Sequence, residues 1–203
     1  LRRWDARLSA GVFRLLRPSV RWPFGGDPMK RFIIMVLIVT VLHAVSVSTG
    51  DGIDPEILET LGRRAEEVVR RAIERHGGII DHADHQGVTA VFGLTVARED
   101  DALRAVRAAA ELRGEEAADL PVTHVVLRVG VATGEVLAGG RDGHSSLMTG
   151  APLHLAGVLA ERAEGDEVLL APETERLVRG STTTEPASLD DDDDGPTPGV
   201  VRL

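Results

Sequence analysis

The sequence has no cysteine and no tyrosine, and aromatic residues make up only 3% of its 203 residues. The absence of cysteine excludes disulfide bonds and thiolate metal sites, which fits a reducing compartment, so we expect a cytoplasmic protein. With so few aromatic side chains, the core must be built from Val, Leu, Ile and Ala. The hydrophobic fraction of 43% and the charged fraction of 27% are typical of a globular chain with one domain and flanking segments.

Acidic residues outnumber basic ones beyond the first 31 residues. The net charge is −9, and residues 1–31 hold eight Lys and Arg against two Asp, a charge of +6, which leaves −15 for the rest of the chain. An acidic body argues against nucleic-acid binding, because that function needs a basic face to neutralise phosphates. We therefore expect no nucleic-acid partner.

Residues 1–30 are interpreted as a basic linker or the remnant of an upstream domain. Their arginines are interspersed with apolar side chains, a pattern that also fits a helix on a membrane surface, so membrane contact is left open. The segment ends with Trp22–Pro28, a stretch rich in Pro and Gly, which interrupt helices and strands. Because the chain starts with Leu1, we expect a fragment of a longer protein.

An almost unbroken apolar run, Phe32–Val45, follows this segment. Read alone, Met29–Ser48 fits a signal peptide, which would make the protein secreted or membrane-anchored. The run is short for a membrane span, which needs about 20 apolar residues. The same residues fit a β-strand buried on both faces. The elements downstream favour the strand, because they need it as a partner.

Downstream of this run, the hydrophobic pattern predicts alternating helices and strands. Helices are predicted at 55–75, 99–113, 152–162 and 172–178, and strands at 33–42, 79–81, 88–92, 125–132, 135–138 and 167–170. Thr133-Gly134 is expected to be a tight turn. The order strand–helix–strand–strand–helix–strand is that of a ferredoxin-like unit, in which the strand at 33–42 lies inside the sheet.

Residues 179–203 are predicted to be an acidic linker with one last strand. They are rich in Ser, Thr and Pro and contain the run Asp190–Asp194, a composition that cannot form a core. The expected division of the chain is therefore a linker over 1–30, a folded domain over 31–178 and a second linker over 179–203.

Six stretches carry a family likeness in their order and spacing. They are Arg75–Gly78, Ala90–Gly93, Glu99–Ala108, Leu127–Val136, Gly150 with the helix that follows it, and Val168–Thr174. Together they resemble the catalytic domain of class III adenylate/guanylate cyclases over about residues 31–178. The resemblance implies an α/β (α+β) fold, a ferredoxin-like βαββαβ sheet with helices packed on it, and a homo- or heterodimer that builds its active sites from both subunits.

In that family, one subunit supplies two aspartates that hold two divalent ions, and the ions bind the triphosphate and assist attack of the 3′-hydroxyl on the α-phosphorus. The partner supplies an Asn for the ribose and an Arg for the reacting phosphate. A Lys and an Asp or Thr select the base. Each role can be carried to a position of this sequence.

The resemblance implies that almost all of these positions are replaced. The metal aspartates fall on Thr40 and Gln86, the Gly and Thr after the first aspartate on His43 and Val45, the Asn on His154, the Arg on Val158, the base-selecting Lys on His82 and its partner on Leu147. Thr and Gln are neutral, so the site lacks the two negative charges that Mg²⁺ requires. No Asp or Glu occurs between Lys30 and Gly50, so a shifted alignment rescues one carboxylate at most, Asp84.

Because the two metal aspartates and the Asn and Arg are all replaced, we expect a degenerate, non-catalytic cyclase-like domain without a cofactor, acting as a regulatory or dimerisation module in bacterial signal transduction. The resemblance also implies that the domain is fused to further signalling domains. One alternative is an active adenylate or guanylate cyclase with a rearranged site, which would use Mg²⁺ or Mn²⁺ with ATP or GTP. Another is a metal-binding module of His82, Asp84 and His85, joined by His43, since imidazole and carboxylate ligate zinc. Histidine and aspartate are common in polar turns between two strands, where they usually bind no metal.

Overall fold

The computed structural model describes residues 33–48, 54–84, 87–113, 125–140, 147–187 and 199–203. In these ranges the chain forms eight strands and four helices. The strands are β1 (Ile33–Ser48), β2 (Ile79–Asp84), β3 (Gly87–Phe92), β4 (Val125–Gly140), β5 (Leu147–Thr149), β6 (Val168–Leu170), β7 (Glu185–Pro186) and β8 (Val201–Arg202). The helices are α1 (Pro55–Arg75), α2 (Asp101–Arg113), α3 (Ala151–Arg162) and α4 (Pro172–Val178). The predicted N-terminal linker and the run Asp190–Asp194 lie outside the described residues.

The eight strands form a single mixed sheet in the order β2-β3-β1-β4-β6-β8-β7, with β5 paired to β4. β1 lies between β3 and β4 and is antiparallel to both, while β6 is parallel to β4. The first four strands in this order have the ferredoxin-like arrangement. The predicted α/β fold is confirmed, and the apolar run forms an internal strand of the sheet.

β1 and β4 are several residues longer than the sequence pattern predicted. β1 continues past residue 42 to Ser48, and β4 runs without interruption, so the predicted turn at Thr133-Gly134 is wrong. Thr133 pairs with Thr40 and Gly134 pairs with Val39, because β1 offers an unbroken partner along this length. A Cβ atom at Gly134 would lie 2.8 Å from Cγ of Pro152. This glycine therefore allows the close approach of α3 and does not mark a turn.

Each face of the sheet carries a hydrophobic core. On one face, Leu42 and Ala44 of β1 pack with residues of α1, α2 and α4. On the other face, Val39 and Val41 pack with residues of α3. Because side chains alternate along a strand, β1 is buried on both faces, which explains its apolar sequence. Among the helices of the described ranges, none is both long and apolar enough to cross a membrane.

Helix α1 begins and ends as its sequence predicts. The carboxylate of Asp54 accepts a hydrogen bond from the backbone N–H of Glu56 at 2.9 Å, and Pro55 occupies the first helical position. The helix ends before Gly77, whose φ of 74° lies in the left-handed region that favours glycine.

The described residues after Val178 extend the sheet. β8 pairs with β6, and Val200 is 3% exposed. The linker predicted for this part of the sequence therefore includes residues that join the core. Its Ser-, Thr- and Pro-rich composition hides two apolar residues, Val200 and Val201, that a last strand can bury.

Asp101→Ala is expected to destabilise the domain by about 2–3 kcal/mol. Asp101 is 7% exposed and accepts hydrogen bonds from the backbone N–H of Arg98 at 2.6 Å and from Nη1 of Arg104 at 2.8 Å. Its removal leaves a largely buried guanidinium without its counter-charge. Urea unfolding measures the loss, and Asp100→Ala is the exposed neighbouring control. If the two variants lost the same free energy of unfolding, Asp101 would not stabilise the domain through Arg98 and Arg104.

Candidate functional site

Most of the predicted site residues lie around the turn between β2 and β3. β2 ends at Asp84 and β3 begins at Gly87, so both are longer than the strands predicted at 79–81 and 88–92. The two residues of the turn, His85 and Gln86, lie outside the described residues. Because β3 is antiparallel to β1, the turn lies beside the C-terminal part of β1.

The strand register determines which residues of β1 lie next to this turn. His43 is opposite Thr89, and Ala44 is opposite Val88, so Val45 is the next residue toward the turn and lies beside Gly87. Gly87 has a φ of 137°, and a Cβ atom there would lie 2.5 Å from the carbonyl oxygen of Ala44. The glycine therefore allows the turn to lie directly against β1.

Thr40 lies in the interior, away from the turn. It pairs with Phe92, at the opposite end of β3, and is 2% exposed. Its hydroxyl oxygen is 3.0 Å from that of Thr133, which in turn is 3.0 Å from that of Thr174. The three hydroxyls form a hydrogen-bonded chain between β1, β4 and α4. The structure does not bring Thr40 and the turn together.

The predicted ribose and phosphate positions lie on α3. His154 is exposed and Val158 is half-buried, and their spacing of four residues puts them on the same side of the helix. Val158 has no hydrogen-bond donor in its side chain. Leu147, at the predicted base-selecting position, belongs to β5 and pairs with Gly139, and its side chain lies outside the described residues.

The histidines at the hairpin make local hydrogen bonds. Nε2 of the exposed His82 is 2.9 Å from Oδ2 of Asp84, and Nδ1 of His43 is 2.8 Å from the hydroxyl of Thr89. Burial raises the pKa of the neighbouring Asp81 carboxyl, and the charge of His82 offsets part of this rise. No group of three or more His, Cys, Asp or Glu that could hold a metal ion is found among the described residues, which do not include His85.

Arg128 is a residue of this site that the sequence analysis did not single out. It is directly opposite Val45 in the pairing of β1 with β4. Its Nε atom is buried and has no hydrogen-bond partner within the part of the chain that the structure describes. β1 contains no Asp, Glu, Lys or Arg, and β4 contains only Arg128 and Glu135 of these types. Beside Val45, the paired strands therefore present a cation.

The described residues around the turn do not fit a divalent cation such as Mg²⁺ or Mn²⁺. These ions bind carboxylate and other oxygen ligands. The side chains of β1 next to the turn are the imidazole of His43 and the hydrocarbon of Val45, and the guanidinium of Arg128 lies opposite. Asp84, the carboxylate at the described end of β2, bonds to His82.

A cleft of about 460 Å³ lies between the N-terminal half of α1 and the hairpin. Its lining includes Ala44, Gly62 and Gly87, with Glu59 and Asp84 among the acidic residues. Ala44 faces the α1 side of the sheet, whereas Val45 faces the other side because side chains alternate along β1. The cleft is therefore separate from the group formed by Val45 and Arg128.

No protein-family model matches the sequence, and no curated protein matches it. Solved structures are similar to it in fold. The adenylyl cyclase CyaB from P. aeruginosa has a TM-score of 0.67 and 19% identity, over 84% of this chain and 95% of that chain. The guanylate cyclase domain of RhGC from Catenaria anguillulae, in complex with GTP, has a TM-score of 0.63 and 17% identity, over 82% of this chain and 93% of that chain. The adenylate/guanylate cyclase/hydrolase from Silicibacter pomeroyi has a TM-score of 0.62 and 18% identity, over 84% of this chain and 96% of that chain.

This chain has the fold of class III adenylyl/guanylyl cyclase catalytic domains. The matches cover more than nine-tenths of each of these three solved chains, so the whole catalytic-domain fold is represented. Identities below a fifth show the fold alone. The side chains at the site decide whether this fold is active.

Proposed function

We propose that this chain is a degenerate class III nucleotidyl cyclase domain that does not catalyse cyclisation and acts as a regulatory or dimerisation module in bacterial intracellular signal transduction. One observation carries the proposal: β1 has no Asp or Glu from Ile33 to Ser48, and the residue that it places beside the β2–β3 turn is Val45. A hydrocarbon at this point leaves a divalent cation without its ligand from β1.

The register favours Val45 over Thr40 as the equivalent of the first metal aspartate. In the family, both metal aspartates hold the same ions, so the two positions must be close together. Gln86, the equivalent of the second aspartate, belongs to the turn next to Gly87, and Val45 lies beside Gly87. Thr40 is five residues further along β1, roughly 17 Å away at the rise of a strand. Neither assignment supplies a carboxylate.

The electrostatics of the site also support a loss of catalysis. Arg128 lies opposite Val45, and neither β1 nor β4 places an Asp or Glu beside it. The nearby carboxylate of Asp166 accepts a hydrogen bond from the backbone N–H of Leu127 at 3.3 Å. A cation at this point would meet repulsion without the attraction that two carboxylates provide. The site therefore disfavours bound metal in addition to lacking its ligands.

The residues of α3 support the loss of the second half-site. In the family the partner subunit supplies an Asn and an Arg, which fall here on His154 and Val158. Valine cannot donate hydrogen bonds to phosphate oxygens. Neither composite site of a homo- or heterodimer would be completed by this chain. A domain that retains the fold without the chemistry can still pair with a partner and transmit a signal.

The direct test is an assay for cyclic nucleotides with the full chain, using ATP and GTP, each with Mg²⁺ and with Mn²⁺. We expect no product above a protein-free control, while an active cyclase domain assayed in parallel forms product. Product that requires Mn²⁺ and increases in proportion to the amount of chain would contradict the proposal and support an active cyclase with a rearranged site.

The metal-binding alternative has a separate test. Zinc held by His82, Asp84 and His85 would raise the melting temperature, and His82→Ala would remove the rise. We expect no zinc-dependent rise in either protein.

A further inference from the structure

The cleft between α1 and the β2–β3 hairpin has an apolar floor. Three strands contribute buried side chains to it, Ala44 of β1, Val88 of β3 and Leu127 of β4. The strand register places them next to one another, because Ala44 pairs with Val88 and the nearby Ser46 pairs with Leu127. A volume of about 460 Å³ lies in the range of small-molecule sites. The cleft can therefore accept the apolar part of a small molecule.

Gly62 keeps the α1 side of the cleft open. It lies inside the helix, where glycine lowers helix stability relative to alanine. A Cβ atom at this position would have no atom within 4 Å apart from the backbone of its own helix, so packing against neighbouring elements does not require glycine. The missing side chain instead leaves the space between the helix and the floor unfilled.

Two opposite charges at the rim of the cleft have no partner among the described residues. Glu59 and Arg63 both line the cleft, and neither side chain makes a hydrogen bond or an ion pair within the described part of the chain. Their order and four-residue spacing are those that favour an ion pair on a helix. Glu66 and Arg70 of the same helix have this spacing and pair at 3.0 Å. The first two residues therefore offer one acidic and one basic group to a ligand.

We propose that the cleft binds a free α-amino acid with an apolar side chain. Arg63 donates hydrogen bonds to the carboxylate of the ligand, and the carboxylate of Glu59 accepts hydrogen bonds from its ammonium group. The apolar side chain of the ligand lies on the floor. Residues four apart on a helix have Cβ atoms about 5–6 Å apart, so these two groups can reach the adjoining charges of one small molecule.

The charge of the lining favours a zwitterion over an ion of one sign. The other two carboxylates of the lining belong to Glu66 and Asp84, which bond to Arg70 and His82. A polyanion such as a nucleoside triphosphate would face three carboxylates and a single arginine in this cleft. The proposal concerns a site separate from the metal position and does not depend on the loss of catalysis.

Four probes with the same apolar body test the charge requirement, by titration into the isotope-labelled full chain with chemical shifts as the readout. In mildly acidic buffer phenylalanine is a zwitterion, phenylalaninamide a cation, N-acetylphenylalanine an anion and N-acetylphenylalaninamide neutral. We expect phenylalanine to bind most tightly, with a Kd about fivefold below that of phenylalaninamide, the upper range for one exposed ion pair. Glycine lacks the apolar side chain and is expected to bind about tenfold more weakly or worse.

Substitutions in α1 test whether the ligand occupies this cleft. Gly62→Leu fills the space above the floor with a better helix former, so we expect the affinity for phenylalanine to fall about tenfold or more. Gly62→Ala adds one methyl group and should keep most of the affinity. Arg63→Gln is expected to weaken phenylalanine about fivefold and to leave phenylalaninamide unchanged. Arg64→Gln is the matched control, because Arg64 is exposed and is not part of the described lining.

Three results would overturn the proposal: no saturable shift changes with phenylalanine, binding of phenylalaninamide or N-acetylphenylalanine as tight as that of phenylalanine, or unchanged phenylalanine binding in Gly62→Leu. None of these measurements involves nucleotide turnover, so failure of this proposal and failure of the proposed function are distinguishable.

Discussion

Val45→Asp combined with Gln86→Asp is expected to give the chain a Mn²⁺ site that the wild type lacks. The register places Val45 beside Gly87, which directly follows Gln86 in the chain, and we therefore expect the two new carboxylates to share a cation. Mn²⁺ at tenfold excess over its Kd stabilises the folded state by about 1.4 kcal/mol. This corresponds to a rise in melting temperature of about 3–6 °C for a domain of this size, measured by thermal unfolding with and without the ion.

Thr40→Asp combined with Gln86→Asp is the matched comparison. Thr40 is 2% exposed and hydrogen-bonds to Thr133, so a carboxylate there would be buried without a counter-charge. We expect this pair of substitutions to lower the free energy of unfolding by about 3–5 kcal/mol and to bring no response to Mn²⁺. If this variant gained Mn²⁺ binding and the Val45→Asp variant did not, the assignment of the metal position from the register would be wrong.

Gly130→Ala is expected to be among the most destabilising single substitutions in the domain, with a loss of about 4 kcal/mol or more. A Cβ atom at this position of β4 would overlap the carbonyl oxygen of Ala156 and lie 2.7 Å from the backbone nitrogen of Ala160. The methyl group would push α3 away from the sheet, because both obstacles are backbone atoms that cannot rotate aside. Urea unfolding of the variant gives the loss directly.

Gly157→Ala provides the control for this effect. Gly157 lies within α3, and a Cβ atom there would have no atom within 4 Å apart from the backbone of its own helix. Alanine is the better helix former, so we expect a gain in stability of about 0.5–1 kcal/mol. If the two substitutions had similar effects, the close approach of α3 to β4 would not be the reason for glycine at position 130.

The fold could be predicted where the signal is local. Helix α1 has apolar residues at three- and four-residue steps between Asp54 and Gly77, and its bounds agree with the structure. The apolar run before it is ambiguous by itself. The order of the later elements resolved this ambiguity in favour of an internal strand, and the sheet order confirms it.

The turn predicted at Thr133-Gly134 shows where local signals mislead. A Thr-Gly pair between two apolar stretches is typical of a turn. The structure keeps β4 extended because β1 runs alongside it and pairs with both residues. Glycine is needed there for the approach of Pro152, a contact between elements that the local sequence does not reveal.

The arrangement of the site could be predicted only in part. Which residue of β1 meets the turn depends on the register between distant strands, and a uniformly apolar strand gives few signals that fix the register. β1 has no aspartate to mark the metal position, so the sequence predicts it at Thr40, whereas the strand pairing favours Val45. The position of Arg128 is hidden in the sequence for the same reason, because only the register places it opposite Val45.

The most direct test of a lost metal site is the electron paramagnetic resonance of Mn²⁺ titrated into the wild-type chain. Free Mn²⁺ gives a six-line spectrum that weakens when the ion binds to protein. The proposal predicts full amplitude with the wild type at every ratio of ion to chain, and reduced amplitude with the Val45→Asp, Gln86→Asp variant. A saturable loss of amplitude with the wild type, at one or two ions per chain, would contradict it.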